Sequence, residues 1–350
     1  MSVTPPRTTT RYFLPVREDW LKLRQEAILE PDLPIVDPHH HLWDRPSWRY
    51  LLDELLADTR SGHNIVATVF VQCLAMHRAD GLPELRPVGE TEFVNGVAAM
   101  SASGGYGTTR VCAGIVGHAD LRLGAKVHDV LEAHVRAGGG RFRGIRHINA
   151  WDADPTIMNP ATAAPRELLA DSRFREGFAQ LSTLGLTFDA WLYHPQIDEL
   201  TGLARAFPRT GIVLNHVGGP MAIGTYAGRR DEIFGAWAGA IRRLAACPNV
   251  TVKLGGLGMR INGYDFHERP MPPSSEDLAA AWRPYVDTCI EAFGAARCMF
   301  ESNFPVDKGS YSYQVFWNAC KLLAKGASAT EKADLFRDTA TRFYQLTASP

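Results

Sequence analysis

Eight short apolar runs, most of them rich in β-branched residues and each followed by a stretch of helical spacing, predict a single (β/α)₈ barrel for these 350 residues. Two further observations point the same way. The segments entering the runs are short, as in Ser61-Gly62-His63 and Pro208-Arg209-Thr210, whereas those leaving them are long and rich in Gly, Pro, His and aromatics. The rival doubly wound sheet would need a Gly-x-Gly-x-x-Gly turn after an early strand, and the chain has none.

Taken in order, residues 1–34 form an extension expected to pack on the outside of the barrel. Trp20, Leu21, Leu23, Ala27 and Ile28 suggest a short amphipathic helix over residues 17–30. The barrel itself is expected over residues 35–350. Its first strand, from Ile35, ends in Asp37-Pro38-His39-His40-His41, and residues 47–58 read as a helix. The run Ile65-Val66-Ala67-Thr68-Val69-Phe70-Val71 suits a strand buried on both faces. Helices are then expected over residues 90–103, 126–137, 173–184, 197–207, 229–246 and 277–293, and they alternate with strands over 111–116, 144–147, 186–193, 211–216, 250–254 and 298–300. Two helices, 313–323 and 331–346, close the chain.

A formal net charge of -1 leaves neither a basic field for nucleic acid nor an acidic tail, so a small molecule is the expected partner. A homodimer is left open. The six cysteines are scattered without a Cys-x-x-Cys pair and read as reduced, mostly buried thiols. The N-terminus lacks the pattern of a signal peptide and no apolar run is long enough to span a bilayer, which leads to the expectation of a soluble, cytoplasmic protein.

Residues able to do chemistry recur at the ends of the expected strands: His39 and His41, Gln72, His118, Arg146 and His147, His194, His216, Lys253, then Glu301 and Asn303. Barrel active sites lie on that face. Alternation along a strand places Asp37, His39 and His41 on one side, so two imidazoles could grip one ion. A solvated histidine run is the blander alternative, but an apolar entry precedes it. His194 could merely cap its strand, and Arg146 could either clamp an anion or pair with a buried acid. His63, His128 and His134 fall before strands or inside helices and read as structural. The long loop 255–275, which carries Tyr264, suits a lid or substrate wall. There is no Gly-x-Ser-x-Gly elbow to support an acyl-serine mechanism.

Asp37-Pro38-His39-His40-His41-Leu42-Trp43-Asp44, Arg143-Gly144-Ile145-Arg146-His147, His194-Pro195-Gln196, Asn215-His216-Val217-Gly218-Gly219-Pro220 and Glu301-Ser302-Asn303-Phe304-Pro305 together resemble the amidohydrolase superfamily. More narrowly they resemble its branch of sugar-lactone and 2-pyrone-4,6-dicarboxylate lactonases. The resemblance implies a divalent metal, zinc first, with His39, His41, His194 and His216 around it, although some lactonases of this branch work without a metal. It departs at the last strand, where the family's aspartate is Asn303 here. An amide cannot take a proton from water, and Glu301, two residues earlier on the same face, is the expected substitute. An ion pair of Glu301 with Arg146 or Lys253 is the alternative.

The resulting expectation is a hydrolase that opens a small anionic or hydroxylated lactone. His39, His41, His194, His216, Glu301 and Asn303 would be catalytic, the metal would sit on His39, His41, His194 and Glu301, and Arg146, His147, Trp43, Tyr193, Lys253 and Tyr264 would meet the substrate. Non-oxidative decarboxylation of an aromatic acid is the rival chemistry. A catalytically impaired binding protein is the third class.

Overall fold

The structure is a computed structural model that describes residues 12–159 and 162–346. Strand β1 (Pro34–His40) opens the barrel and is followed by a hairpin of β2 (Trp43–Arg45) and β3 (Trp48–Tyr50). The other barrel strands are β4 (Asn64–Val71), β5 (Arg110–Gly117), β6 (Phe142–Ile145), β7 (Thr187–Ala190), β8 (Ile212–Leu214), β9 (Val250–Leu254) and β10 (Cys298–Phe300). These eight pair in parallel in chain order. Closure comes just past β10, where His40 bridges Phe304, the His41 amide donates to Phe304 O at 2.8 Å and the Asn303 amide donates to His39 O at 3.0 Å.

Both faces of most strands are buried, which explains why the runs read as continuous Val/Ile/Leu/Phe rather than alternating. The outer ring comprises α2 (Leu52–Thr59), α3 (Val88–Ala102), α4 (Val127–Ala137), α5 (Ser172–Thr183), α6 (Ile197–Ala206), α7 (Arg230–Ala245), α8 (Ser275–Phe293) and α9 (Tyr313–Leu323), and α1 (Glu18–Leu21) lies in the N-terminal segment. Local chemistry sets several helix starts. Asp171 accepts from the Phe174 amide ahead of α5, Ser312 does the same for α9 through Val315, and Ser274 with Asp277 forms a reciprocal capping box for α8.

The last described residues fill the lumen. Ala340, Tyr344 and Leu346 pack with Val36, Val69, Val213 and Met299 inside the strands. The expected final helix is not continuous: α10 (Ala329–Ala333) passes through a π-helical turn at Asp334–Asp338 into α11 (Thr339–Phe343).

Two other elements differ from expectation. Residues 47–58 contribute a strand before they turn helical, because Trp43 and Trp48 stack edge-to-face at 4.6 Å across the hairpin. The helix in 17–30 is a single turn. Beyond it the chain is held by side chains of the barrel, with Asn318 accepting from the Leu29 amide at 3.0 Å and Lys321 donating to Leu29 O at 2.7 Å.

Candidate active site

The site is assembled from the ends of β1, β8, β9 and β10. Between Asp37 and His40 the register of β1 against β4 slips by one residue. This bulge takes the Asp37 carboxylate off the face it was expected to share with His39 and His41, whose rings stay neighbours at 5.0 Å. The Asp37 carboxylate is instead taken by the Ser302 hydroxyl at 2.6 Å, the Ser302 amide at 3.1 Å and the Tyr313 hydroxyl at 2.9 Å.

Glu301, wholly buried, stands at the centre. Its Oε1 accepts from the His216 amide at 2.9 Å and lies 2.7 Å from His216 Nδ1. His39 Nδ1 is 2.7 Å from Oε2 but off the line a hydrogen bond requires, so Oε2 has no hydrogen-bond donor. Donor atoms of His39, His216 and Glu301 all fall within 4.8 Å of one another. Two imidazoles and an orphaned carboxylate oxygen fit a divalent ion that keeps an open position for water.

The chain beneath this cluster is shaped to admit it. A Cβ at Gly256 would sit 2.4 Å from His216 Nδ1, and one at Gly255 would sit 2.1 Å from Glu301 O, so the two glycines after β9 let its backbone pass against the site. His216, Val217 and Asn303 all have positive φ, at 55°, 46° and 57°. For a β-branched valine this is a strained conformation of the kind that clusters at functional sites.

Cations flank His39 on both sides. Lys253 Nζ is 3.2 Å from Nδ1 and Arg146 Nη1 is 3.2 Å from Nε2. Burial, and next the Lys253 charge, pushes His39 well below the ordinary histidine value. Burial also lowers His216, with Glu301 opposing, so both rings are neutral at pH 7. Lys253 is itself matched by Asp189 at 2.8 Å, and Asp189 also accepts from Asn215 at 3.0 Å and from the Tyr344 hydroxyl at 2.9 Å.

Above the cluster opens a cavity of about 530 Å³, whose polar lining includes His41, Arg146, His216 and Asn303 and whose walls include Trp43, Trp191 and Tyr193. Arg146 is held rigidly, with one nitrogen at His39 and the other donating to Gln72 O. The Asn303 amide nitrogen donates to Asp307 at 2.8 Å, so its carbonyl oxygen is left for the cavity.

This histidine and carboxylate architecture on a barrel matches the amidohydrolase family model over residues 36–346. The chain belongs to the amidohydrolase family. It is 35% identical over 343 residues to the uncharacterized protein y4mH of Sinorhizobium fredii, a match spanning 90% of this chain and 99% of that protein. It is 28% identical over 338 residues to an L-fucono-1,5-lactonase of Burkholderia ambifaria, covering 89% of this chain and 95% of the lactonase. A crystal structure of an amidohydrolase from Burkholderia multivorans with bound zinc superposes with a TM-score of 0.69 at 26% identity, covering 89% of this chain and 99% of that one.

Within this amidohydrolase, the residues expected from sequence divide into two groups. His39, His216 and Glu301 converge, and His41, Arg146, Trp43, Tyr193 and Asn303 line the cavity above them. The other expected positions require correction. Of the expected metal set His39, His41, His194 and Glu301, only His39 and Glu301 belong to the group that converges, and His216 joins them in place of the other two histidines. His41 turns Nδ1 to Val71 O at 2.7 Å and stacks on Trp43. His194 lies outside the cluster, since β7 ends at Ala190 and the chain then leaves the lumen. The ring of His194 accepts from the Met221 amide at 3.3 Å and packs on Tyr226.

Lys253 lies beneath the cluster rather than in the cavity wall. His147 faces a separate small cavity, and Tyr264 stacks on Phe266 with its hydroxyl on Ala281 O. The ion pair of Glu301 with Arg146 or Lys253 is not formed: Lys253 pairs with Asp189, and Arg146 bonds to His39 and Gln72.

Sequence reasoning missed three contributors. Trp191 stands edge-on over His216 at 4.7 Å, Asp189 anchors Lys253, and Phe13 of the N-terminal segment lines the cavity while packing on Trp48 and Trp43. Only the β7 run itself carried a signal, through the acid inside Thr187-Phe188-Asp189-Ala190.

Proposed function

We propose that this amidohydrolase opens a small lactone with water in the cavity above Glu301. The observation that carries the reading is the buried Glu301–His216 pair, 2.7 Å apart, beneath a cavity that also presents a fixed arginine. The L-fucono-1,5-lactonase relative supports the substrate class.

The ester carbonyl is polarised by Arg146, whose guanidinium is anchored before any substrate arrives and so stabilises the oxyanion of the tetrahedral intermediate without rearranging. His216 holds Nδ1–H toward Glu301, which leaves Nε2 as the base that takes a proton from the attacking water. The carboxylate stabilises the imidazolium so formed. When the intermediate collapses, the ring C–O bond breaks and the leaving oxygen recovers that proton, giving an open-chain hydroxy acid that ionises in neutral solution. Asn303 offers an acceptor to a substrate hydroxyl or to the water. A divalent ion on His39, His216 and Glu301, zinc by donor type and by its presence in the similar structure, would supply Lewis-acid polarisation and a more acidic water, and it would then take over from His216 the activation of that water.

The test is proton release measured by pH-stat across a panel of γ- and δ-lactones, with metal content determined on the same protein. Stoichiometric proton release with formation of the hydroxy acid supports the proposal. Release of CO₂ from a phenolic carboxylic acid, with no lactone opened, would replace it with decarboxylation. Thermal stabilisation by lactones without turnover would reduce it to binding.

A further inference from the structure

Beside the main cavity lies a second one of about 200 Å³, and Leu74, Ile148 and Thr162 line both. Its polar lining is Gln72, His118, His147 and the Asp120–Arg122 pair. Gln72 is wholly buried, yet neither its amide oxygen nor its amide nitrogen has a hydrogen-bond partner. A buried primary amide with both ends unpaired is costly unless something else satisfies it.

The two imidazoles add one donor and one acceptor of defined sense. His118 places Nδ1 on the Arg146 carbonyl at 3.3 Å, which can only accept, so that nitrogen carries the proton and Nε2 is an acceptor. His147 Nδ1 accepts from the Leu121 amide at 3.3 Å, so its proton is on Nε2, a donor. The rings stand edge-to-face at 5.4 Å. Arg122 is closed on Asp120 through two bonds of 2.9 and 2.8 Å and offers no free positive charge. Burial, and next His118, pushes His147 down to about 3, so the lining is neutral near pH 7.

We propose that this side cavity is a subsite for neutral hydroxyl groups on the substituent of the lactone, read by Gln72, His118 and His147. The proposal rests on the lactonase reading for the identity of the ring, but the pairing rule is its own. Each hydroxyl both donates and accepts, and so uses the donors and the acceptors of the lining alike, while a carboxylate could meet only the two donors, would leave the Gln72 oxygen and His118 Nε2 unpaired against it, and would find no unpaired cation. The subsite therefore favours a hydroxylated lactone over an anionic one. Gln72 is suited to this role because its backbone carbonyl also receives Arg146, so it ties the substituent to the residue that polarises the ester.

The experiment compares a hexono-δ-lactone with unsubstituted δ-valerolactone in the full-length enzyme and in Gln72→Leu and His118→Phe, and it measures calorimetric binding of the corresponding hexono-δ-lactam, which water does not open. Each variant should lose about tenfold or more in kcat/KM on the hexono-lactone relative to its loss on δ-valerolactone, mostly through KM, and should weaken lactam binding by a similar factor. Equal losses on both lactones, or none on either, would overturn the subsite. If no lactone is opened but the lactam binds and both variants weaken it, the subsite stands and the lactonase reading falls. A lactam that does not bind the wild type overturns the subsite.

Discussion

Asp189 and Glu301 are both fully buried carboxylates on the inner face of this barrel, and they are satisfied in opposite ways. Asp189 is closed off: Lys253 supplies a permanent cation at 2.8 Å, and Asn215 and Tyr344 complete its hydrogen bonds. Glu301, nearer the mouth, has no fixed cation: one backbone amide and two imidazoles face it, and its Oε2 has no hydrogen-bond donor. A buried charge with a full complement of fixed partners holds structure together. One that depends on titratable rings and keeps an oxygen open retains its capacity to bind an ion or assist a proton transfer.

The comparison can be broken most sharply at the imidazoles. Replacing His216 by Asn removes the base while keeping a polar side chain of similar reach, and kcat/KM for lactone opening should fall on the order of a thousandfold with the melting temperature little changed. Steady-state proton release together with a thermal melt checks both halves. At the other carboxylate the effect should fall on folding. Lys253→Met leaves Asp189 without its cation and should cost about 3–5 kcal/mol, a drop in melting temperature on the order of ten degrees, seen by calorimetry.

His134 is a smaller control, a buried imidazole that makes its hydrogen bonds to a hydroxyl and a backbone carbonyl rather than to a carboxylate. It sits 2.8 Å from the Thr91 hydroxyl and donates to His118 O at 2.9 Å, and burial lowers it to about 4. Between that value and about 6.5 the unfolded chain binds the proton and the folded chain does not, so stability is lost as pH falls through this window. Going from pH 7 to pH 5 should remove about 2 kcal/mol of stability that a His134→Gln variant does not lose. Parallel denaturant titrations at the two pH values would show it.

The barrel was legible because strands buried on both faces must be apolar throughout, and the segments between them carry helical spacing. The functional face was legible too, since His39, Arg146, His216 and Glu301 all stand at or near strand ends. Which histidines meet was not legible. That depends on where a strand stops, and β7 stops at Ala190 rather than carrying His194 to the mouth. It depends equally on a one-residue bulge in β1, which turns Asp37 toward Tyr313. The pairing of Asp189 with Lys253 joins residues 64 positions apart, and no local pattern announces it. Phe13 reaches the cavity by tertiary packing on the tryptophans of the hairpin, which a Pro/Thr-rich entry segment does not advertise.

Glu301, and not Asp189, is the carboxylate proposed to act in catalysis. The most direct measurement pairs Glu301→Gln with Asp189→Asn and records lactone-opening rate and melting temperature for each. The account predicts that Glu301→Gln abolishes turnover with a melting temperature close to wild type, whereas Asp189→Asn lowers the melting temperature and leaves the folded fraction active. Turnover at the wild-type rate in Glu301→Gln would contradict it.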